Sequence, residues 1–177
     1  MERGITPVEL KSSLEELMRL TTMTIATVGG DGEPHAAAVY FDQLDMYFFS
    51  DAHSQHTQDT TQDSRAAAAV HPECSGWQDI RGLQMRGSVK LVQAQDKWQE
   101  AWELYLTKFP FVTDLQEIVA LNLLHKFVPK WIRWVDNRCG FGFKQEWELS
   151  EEERSGVSYL TWTQSIGGKD ISGSSNG

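Results

Sequence analysis

Hydrophobic and polar positions change period along this chain, and the changes divide it into elements. Leu10, Leu14, Leu17 and Met18 are four, three and one apart, which places them on one helical face. Thr6-Pro7-Val8-Glu9 reads as a capping box with proline at the first helical position. Ile5 and Leu10 are spaced to close a hydrophobic staple across it.

Strand patterns follow. Met23–Val28 is rich in β-favouring residues, Gly29-Gly30-Asp31-Gly32 is a turn, and Pro34–Phe41 returns as a second strand. After a turn at Asp42–Asp45, Met46–Ser50 predicts a third strand, so the first three read as a meander. Asp51–Asp63 is polar and predicts a short exposed helix. Arg65–His71 carries four consecutive alanines, which favour helix. Turn signals bracket it so tightly, at Asp63-Ser64 and His71-Pro72, that a buried strand is the better reading.

Ile80–Val92 alternates along its length, with Leu83, Met85, Gly87, Val89 and Leu91 on one face and Gln84, Arg86, Ser88 and Lys90 on the other. Asp96–Lys108 is an amphipathic helix bearing Trp98, Trp102, Leu104 and Tyr105. Asp114 is placed to cap a further helix through Ile118, Val119, Leu121, Leu123 and Leu124. Phe127–Val135 and Phe141–Leu149 predict the last strands. The sum is a mainly β chain with peripheral helices (α+β), a six- to seven-stranded antiparallel barrel. Residues 1–149 make one domain, and 150–177 form an acidic and then Gly/Ser-rich tail whose end, Ile166–Gly177, reads as disordered.

Composition narrows the function classes. The 177 residues carry a formal charge of −9 with no basic run, which argues against nonspecific binding to nucleic acid or an anionic membrane. No apolar run is long enough to span a bilayer, and Met1–Leu20 lacks the core of a signal peptide. Cys74 and Cys139 could form a disulfide, but two thiols in a reducing cytoplasm is the simpler reading. Gly29–Gly32 has neither the following helix nor the Lys-Ser/Thr of a phosphate loop, and there is no nucleophile-elbow sequence. Glu151-Glu152-Glu153 reads as solvated surface. Trp98 and Trp102, four apart on a helix, read as packing. His53 and His56, three apart, also have a metal-ligand spacing, but no third ligand is near in sequence.

Four segments carry a family resemblance. They are Tyr47-Phe48-Phe49-Ser50 with His53-Ser54-Gln55-His56; Ile80-Arg81-Gly82-Leu83-Gln84-Met85-Arg86-Gly87; Lys108-Phe109-Pro110; and Asp136-Asn137 leading into Gly140-Phe141-Gly142-Phe143. In this order, over Leu17–Leu149, they resemble the pyridoxamine 5'-phosphate oxidase-like FMN-binding split barrels, and most of all the YhbP-like branch. The resemblance implies a homodimer with FMN in grooves between subunits, the phosphate just after the third strand and the flavin ring along the second.

The residues can be read for that role. Ser50 and Ser54 offer hydroxyls to a phosphate, and His56 offers an imidazole that could be charged beside it. Ala36, Ala37 and Ala38 are small enough to let a flavin edge reach the backbone of Val39 and Tyr40. Phe49 offers a flat wall, Arg81 could reach the phosphate or ribityl chain, and Trp134 could contact the flavin of the partner subunit. Gln55 departs from the pattern, because relatives place a cation there. Losing one charge-assisted hydrogen bond costs roughly 1.5–3 kcal/mol, about ten- to a hundred-fold in affinity. Haem, with His35, His71 or His125 as axial ligand, and a deazaflavin are the alternative cofactors. The expected activity is hydride or electron transfer from a reduced nicotinamide-type donor to a small substrate, with no catalytic acid or base assigned. Pyridoxamine phosphate is not the expected substrate, since Asp136-Asn137-Arg138 replaces the Arg-His pair that would contact it. A flavin- or haem-binding carrier or sensor without turnover is the alternative function, and a barrel that has lost its cofactor is a third reading.

Overall fold

The computed structural model describes residues 5–42 and 45–151. The expected tail therefore lies outside the described residues, apart from its first two positions. Helix α1 (Pro7–Met18) has the expected capping box: Thr6 accepts from the Glu9 N–H, and the Glu9 carboxylate accepts from the Thr6 N–H at 2.9 Å. Its apolar face, Leu10, Leu14, Leu17 and Met18, is buried in the main core, roughly 1.5–3 kcal/mol for each side chain.

Seven strands form one sheet: β1 (Thr22–Val28), β2 (Pro34–Tyr40), β3 (Tyr47–Ser50), β4 (Arg65–Val70), β5 (Arg81–Leu91), β6 (Leu123–Asp136) and β7 (Lys144–Glu148). The order is β2-β1-β4-β5-β6-β3, with β7 also on β6, and every pairing is antiparallel. The alanine-rich segment is strand β4, held between β1 and β5, so tertiary pairing overrides alanine's helix preference. The β5–β6 register shifts between Arg86 and Gly87. A Cβ on Gly87 would stand 2.1 Å from the Val128 carbonyl oxygen, so this close approach needs glycine.

Three expectations are corrected. The first three strands are not a meander: β1 pairs with β2, but β3 leaves β2 and pairs with β6. β2 and β3 thus end the sheet on opposite sides and meet as it curls into a nearly closed barrel. The second correction concerns Asp114, which caps no helix. Pro110–Leu115 is a 3-10 turn, helix α4 is only Gln116–Val119, and its N-cap is Leu115. Leu123 and Leu124 are drawn into β6 by pairing with Ser50 and Phe49. The third is the last strand, which starts at Lys144. Gly140 and Gly142 both take positive φ, which turns the intervening Phe141 out to solvent against the edge of Trp77.

The polar helix is α2 (Gln55–Gln62), and the tryptophan helix is α3 (Gln95–Lys108). α3 packs Trp102, Tyr105 and Ala101 over Tyr47 and Leu124 to make a second, smaller core. It also closes the barrel seam. The Tyr105 hydroxyl sits between the carbonyls of Tyr40, at the end of β2, and Tyr47, at the start of β3. Lys108 Nζ donates to the Phe41 carbonyl at 2.8 Å and to the Met18 carbonyl at 3.3 Å. No described helix is long and apolar enough to cross a membrane.

Candidate functional site

Beyond the Tyr105 closure, β2 keeps an edge that pairs with no other strand among the described residues. The Phe41 N–H donates to the Thr21 carbonyl, which fixes the phase of the β1–β2 ladder. Antiparallel strands alternate, so Val39 and Ala37 direct their N–H and C=O groups to β1. Ala36, Ala38 and Tyr40 direct theirs to the open edge, and the Tyr40 carbonyl is taken by Tyr105. The side chains of Ala36, Ala38 and Tyr40 are exposed, whereas Val39 points into the core. Ala38 and Tyr40 are therefore accessible as expected. The expected backbone contact at Val39 is corrected, because its polar groups face the ladder.

Three of the expected residues come together where β3 runs into α2. Ser50 Oγ is 2.9 Å from Ser54 Oγ and 2.6 Å from His56 Nε2, and Ser54 Oγ is 3.3 Å from the same nitrogen. Thr57, which the sequence does not flag, joins them by accepting from Ser54 at 2.8 Å. Ser54 is the N-cap of α2, yet its side chain caps no backbone N–H. The Thr57 N–H donates to the Ser54 carbonyl at 3.1 Å, whereas the Gln55 and His56 N–H groups precede the first carbonyl of the helix that could receive them. Burial pushes the His56 imidazole below its ordinary value, partly offset by the charge on Asp59. His56 is thus neutral near pH 7, with Nε2 able to accept from a serine hydroxyl.

Gln55 faces another way. Its amide donates to Asp59 Oδ1 at 2.8 Å. The Asp59 side chain is buried and also accepts from Thr27 Oγ1 at 2.7 Å, with His35 Nδ1 at 2.8 Å. Burial alone would raise the Asp59 pKa. The hydrogen bonds from Thr27, Gln55 and His35, with the charge on His35, outweigh it and hold the carboxyl below its ordinary value. This hub ties α2 to β1 and β2. Local sequence does not mark Asp59, since its partners Thr27 and His35 lie 32 and 24 residues away.

The remaining expected residues lie elsewhere. Phe49 is half-buried with its ring edge-on to Trp98, Trp102 and Tyr105, so it belongs to the second core. Arg81 pairs with Glu16 of α1. It faces Asp136 at one end of β6, while Ser50 faces Leu123 at the other, so one chain does not bring Arg81 to the serines. Trp134 is fully buried against Phe143, on the barrel's inner side, and has no surface to offer a cofactor. The Asp136 carboxylate is buried and accepts from Arg138 and Ser13.

The three histidines considered as haem ligands differ in access: His125 is buried, His35 is half-buried and His71 is exposed. His35 is held by Asp59, and His71 bonds the Pro72 carbonyl. His125 is buried and stacked on Phe48 at 5.1 Å, with Nδ1 unpartnered. Burial pushes its pKa down to about 4.

Comparison with known proteins agrees with this architecture. Residues 10–124 match the family model described as pyridoxamine 5'-phosphate oxidase. A UPF0306 protein of Klebsiella pneumoniae (strain 342) is 28% identical over 106 residues, 60% of this chain and 68% of that protein. The solved structure of a conserved hypothetical protein from Mycobacterium tuberculosis superposes with a TM-score of 0.64 at 16% identity, over 85% of this chain and 96% of that one. A heme binding protein from Mycobacterium smegmatis gives a TM-score of 0.64 at 14% identity. That match covers 81% of this chain, which spans only 58% of the mycobacterial protein. At such identities the structural matches speak for the fold alone. The family-model match carries the assignment: this chain belongs to the pyridoxamine 5'-phosphate oxidase-like family of split β-barrels.

Proposed function

We propose that the protein is an FMN-binding flavoprotein, working as a homodimer with the cofactor between subunits. The observation that carries this reading is the convergence of Ser50, Ser54 and His56 at the N-terminus of α2, alongside the open edge of β2. A phosphate monoester is a near-dianion. Hydroxyls, an imidazole that gains a proton beside it, and the free N–H groups of a first helical turn suit it. The exposed N–H and C=O groups of Ala38 and the N–H of Tyr40 suit the polar edge of a flavin, and the alanine side chains leave room for the ring. Bound flavin would supply hydride or electron transfer between a reduced nicotinamide-type donor and a small substrate. The chain's own part is to hold and orient the cofactor. Cys74 and Cys139 form no disulfide among the described residues, which fits a cytoplasmic setting.

A haem- or flavin-binding carrier without turnover is the second reading, prompted by the mycobacterial heme binding protein of the same fold. His125 is buried and His35 engages Asp59 through Nδ1, which leaves the exposed His71 as the one of the three considered that is open to a haem iron.

An absorbance spectrum of the purified protein, before and after incubation with FMN and removal of the excess, tests the reading. Retained flavin bands are the expected result. A Soret band would move the assignment to haem, and no chromophore after reconstitution would overturn it.

A further inference from the structure

The cluster of Ser50, Ser54, His56 and Thr57 contains no permanent cation, and the nearby candidates are engaged elsewhere. Gln55 is turned to Asp59. Arg65, the first arginine after α2, folds back on Asp63, to which its Nε and Nη2 donate at 2.9 and 2.6 Å. Arg81 pairs with Glu16. His56 is therefore the side chain of the cluster that can become a cation.

Its surroundings govern how readily it does so. Nε2 lies 2.6 Å from Ser50 Oγ and 3.3 Å from Ser54 Oγ, so the nitrogen is aimed at the two hydroxyls. On its own helix, Asp59 is the carboxylate whose charge favours a protonated ring. Asp59 also holds His35 of β2, so that histidine is turned to the carboxylate. Phe48 of β3 packs against both His56 and His125 of β6, with ring centroids 6.3 and 5.1 Å away. Burial keeps His125 neutral near pH 7, so it adds no charge. In the turn before α2, Asp51 is exposed and takes the His53 N–H. Burial leaves the His56 ring neutral while no anion is present. A phosphate monoester, with a second pKa of about 6, is close to a dianion at neutral pH. Beside the ring, a dianion favours the imidazolium over the neutral form.

We propose that the site takes up its phosphate together with one proton, held by His56, so that the protein retains FMN near neutral pH and releases it as the pH rises. This inference rests on the flavin reading and adds the regulation of the same site. The balance is one neutral imidazole, one phosphate dianion and one proton from solvent, giving an imidazolium–phosphate pair. Because the bound form carries the extra proton, affinity falls with rising pH. The fall approaches about tenfold per pH unit above the pKa of the bound imidazole. A permanent guanidinium in the cluster would hold phosphate without that dependence.

Calorimetric titration of the intact protein with FMN, in buffers of different ionisation heat, counts the protons taken up. Between about pH 7.5 and 8.5 the phosphate itself is almost fully ionised and adds little to the count. The expected result is at least half a proton per FMN, with binding about five- to tenfold weaker at the upper pH. Riboflavin, which lacks the phosphate, takes up no proton and binds equally at both pH values. His56→Gln keeps a hydrogen-bond donor but cannot titrate, so its FMN affinity is flat with pH. The proposal is overturned if wild-type protein binds FMN without proton uptake, or if His56→Gln keeps the wild-type pH dependence. Either result leaves the flavin reading standing. Failure of FMN to bind at either pH, or at mildly acidic pH, removes both.

Discussion

Gln55 donates its side-chain amide to Asp59, one helical turn further along α2, so the residue that stands where a cation is expected is already engaged by a buried carboxylate. The cluster at Ser50, Ser54 and His56 therefore holds no permanent positive charge of its own. An arginine at position 55 would keep a donor for Asp59 and add a charge at the helix N-terminus. Gln55→Arg should tighten FMN binding about tenfold and leave riboflavin, which lacks the phosphate, unchanged. Paired fluorescence titrations measure both. Equal affinities of wild type and variant for FMN would remove the start of α2 from the phosphate site.

Asp59 is the structural centre of the same region. Asp59→Ala would strand the Thr27 hydroxyl, the Gln55 amide and the His35 imidazole at once. The expected loss is roughly 2–4 kcal/mol in urea unfolding near neutral pH. The sign of the pH dependence follows from the lowered carboxyl. Its contribution is present above the ordinary carboxylate value and is lost as pH falls through the depressed one. A variant within experimental error of wild type would show that the hub adds nothing to stability.

The local elements were legible, and the long-range ones were not. The capping box at Thr6, the hairpin from β1 to β2 and the alternation of β5 all depend on neighbours in sequence, and each appears where its pattern places it. The partner of β3 was not legible, because the turn signal at Asp42–Asp45 does not reveal whether the next strand returns to β2 or crosses to β6. The site divides in the same way. Ser50, Ser54 and His56 fall within seven residues and meet. Arg81 and Trp134 were assigned by resemblance, and their roles depended on partners far along the chain: Glu16 for one, the closed core for the other. Asp59 gave no signal at all.

His125 makes the acid side of the stability curve steep. Its folded pKa is about 4, against an ordinary 6.5, because burial disfavours the charged ring. The unfolded chain therefore takes up a proton first, and stability falls as pH drops from about 6.5 towards 4. Over that whole span the effect amounts to roughly 3 kcal/mol. His125→Phe keeps a flat ring against Phe48 and removes the unpartnered Nδ1. It should match or exceed wild-type stability near pH 7 and flatten the decline on acidification. His56, whose ring is also lowered by burial, accounts for part of the remaining slope. Parallel urea titrations at neutral and mildly acidic pH decide it, and an unchanged slope in the variant would assign the acid sensitivity to other groups.

Tyr105 separates closure of the barrel from the strength of its core. Tyr105→Phe leaves the aromatic contacts with Phe49 and Phe109 in place and removes only the hydroxyl between the Tyr40 and Tyr47 carbonyls. The Tyr40 carbonyl then loses its partner, at a cost of about 1–3 kcal/mol. The seam keeps the Asp42 N–H bond to the Tyr47 carbonyl and the Lys108 bond to the Phe41 carbonyl, so it loosens without opening. Hydrogen exchange should reflect that. Amides at the ends of β2 and the start of β3 exchange faster in the variant, while those of the central β5–β6 pairing keep their protection. Uniformly faster exchange across the sheet would mean that the hydroxyl supports the whole fold and not the seam alone.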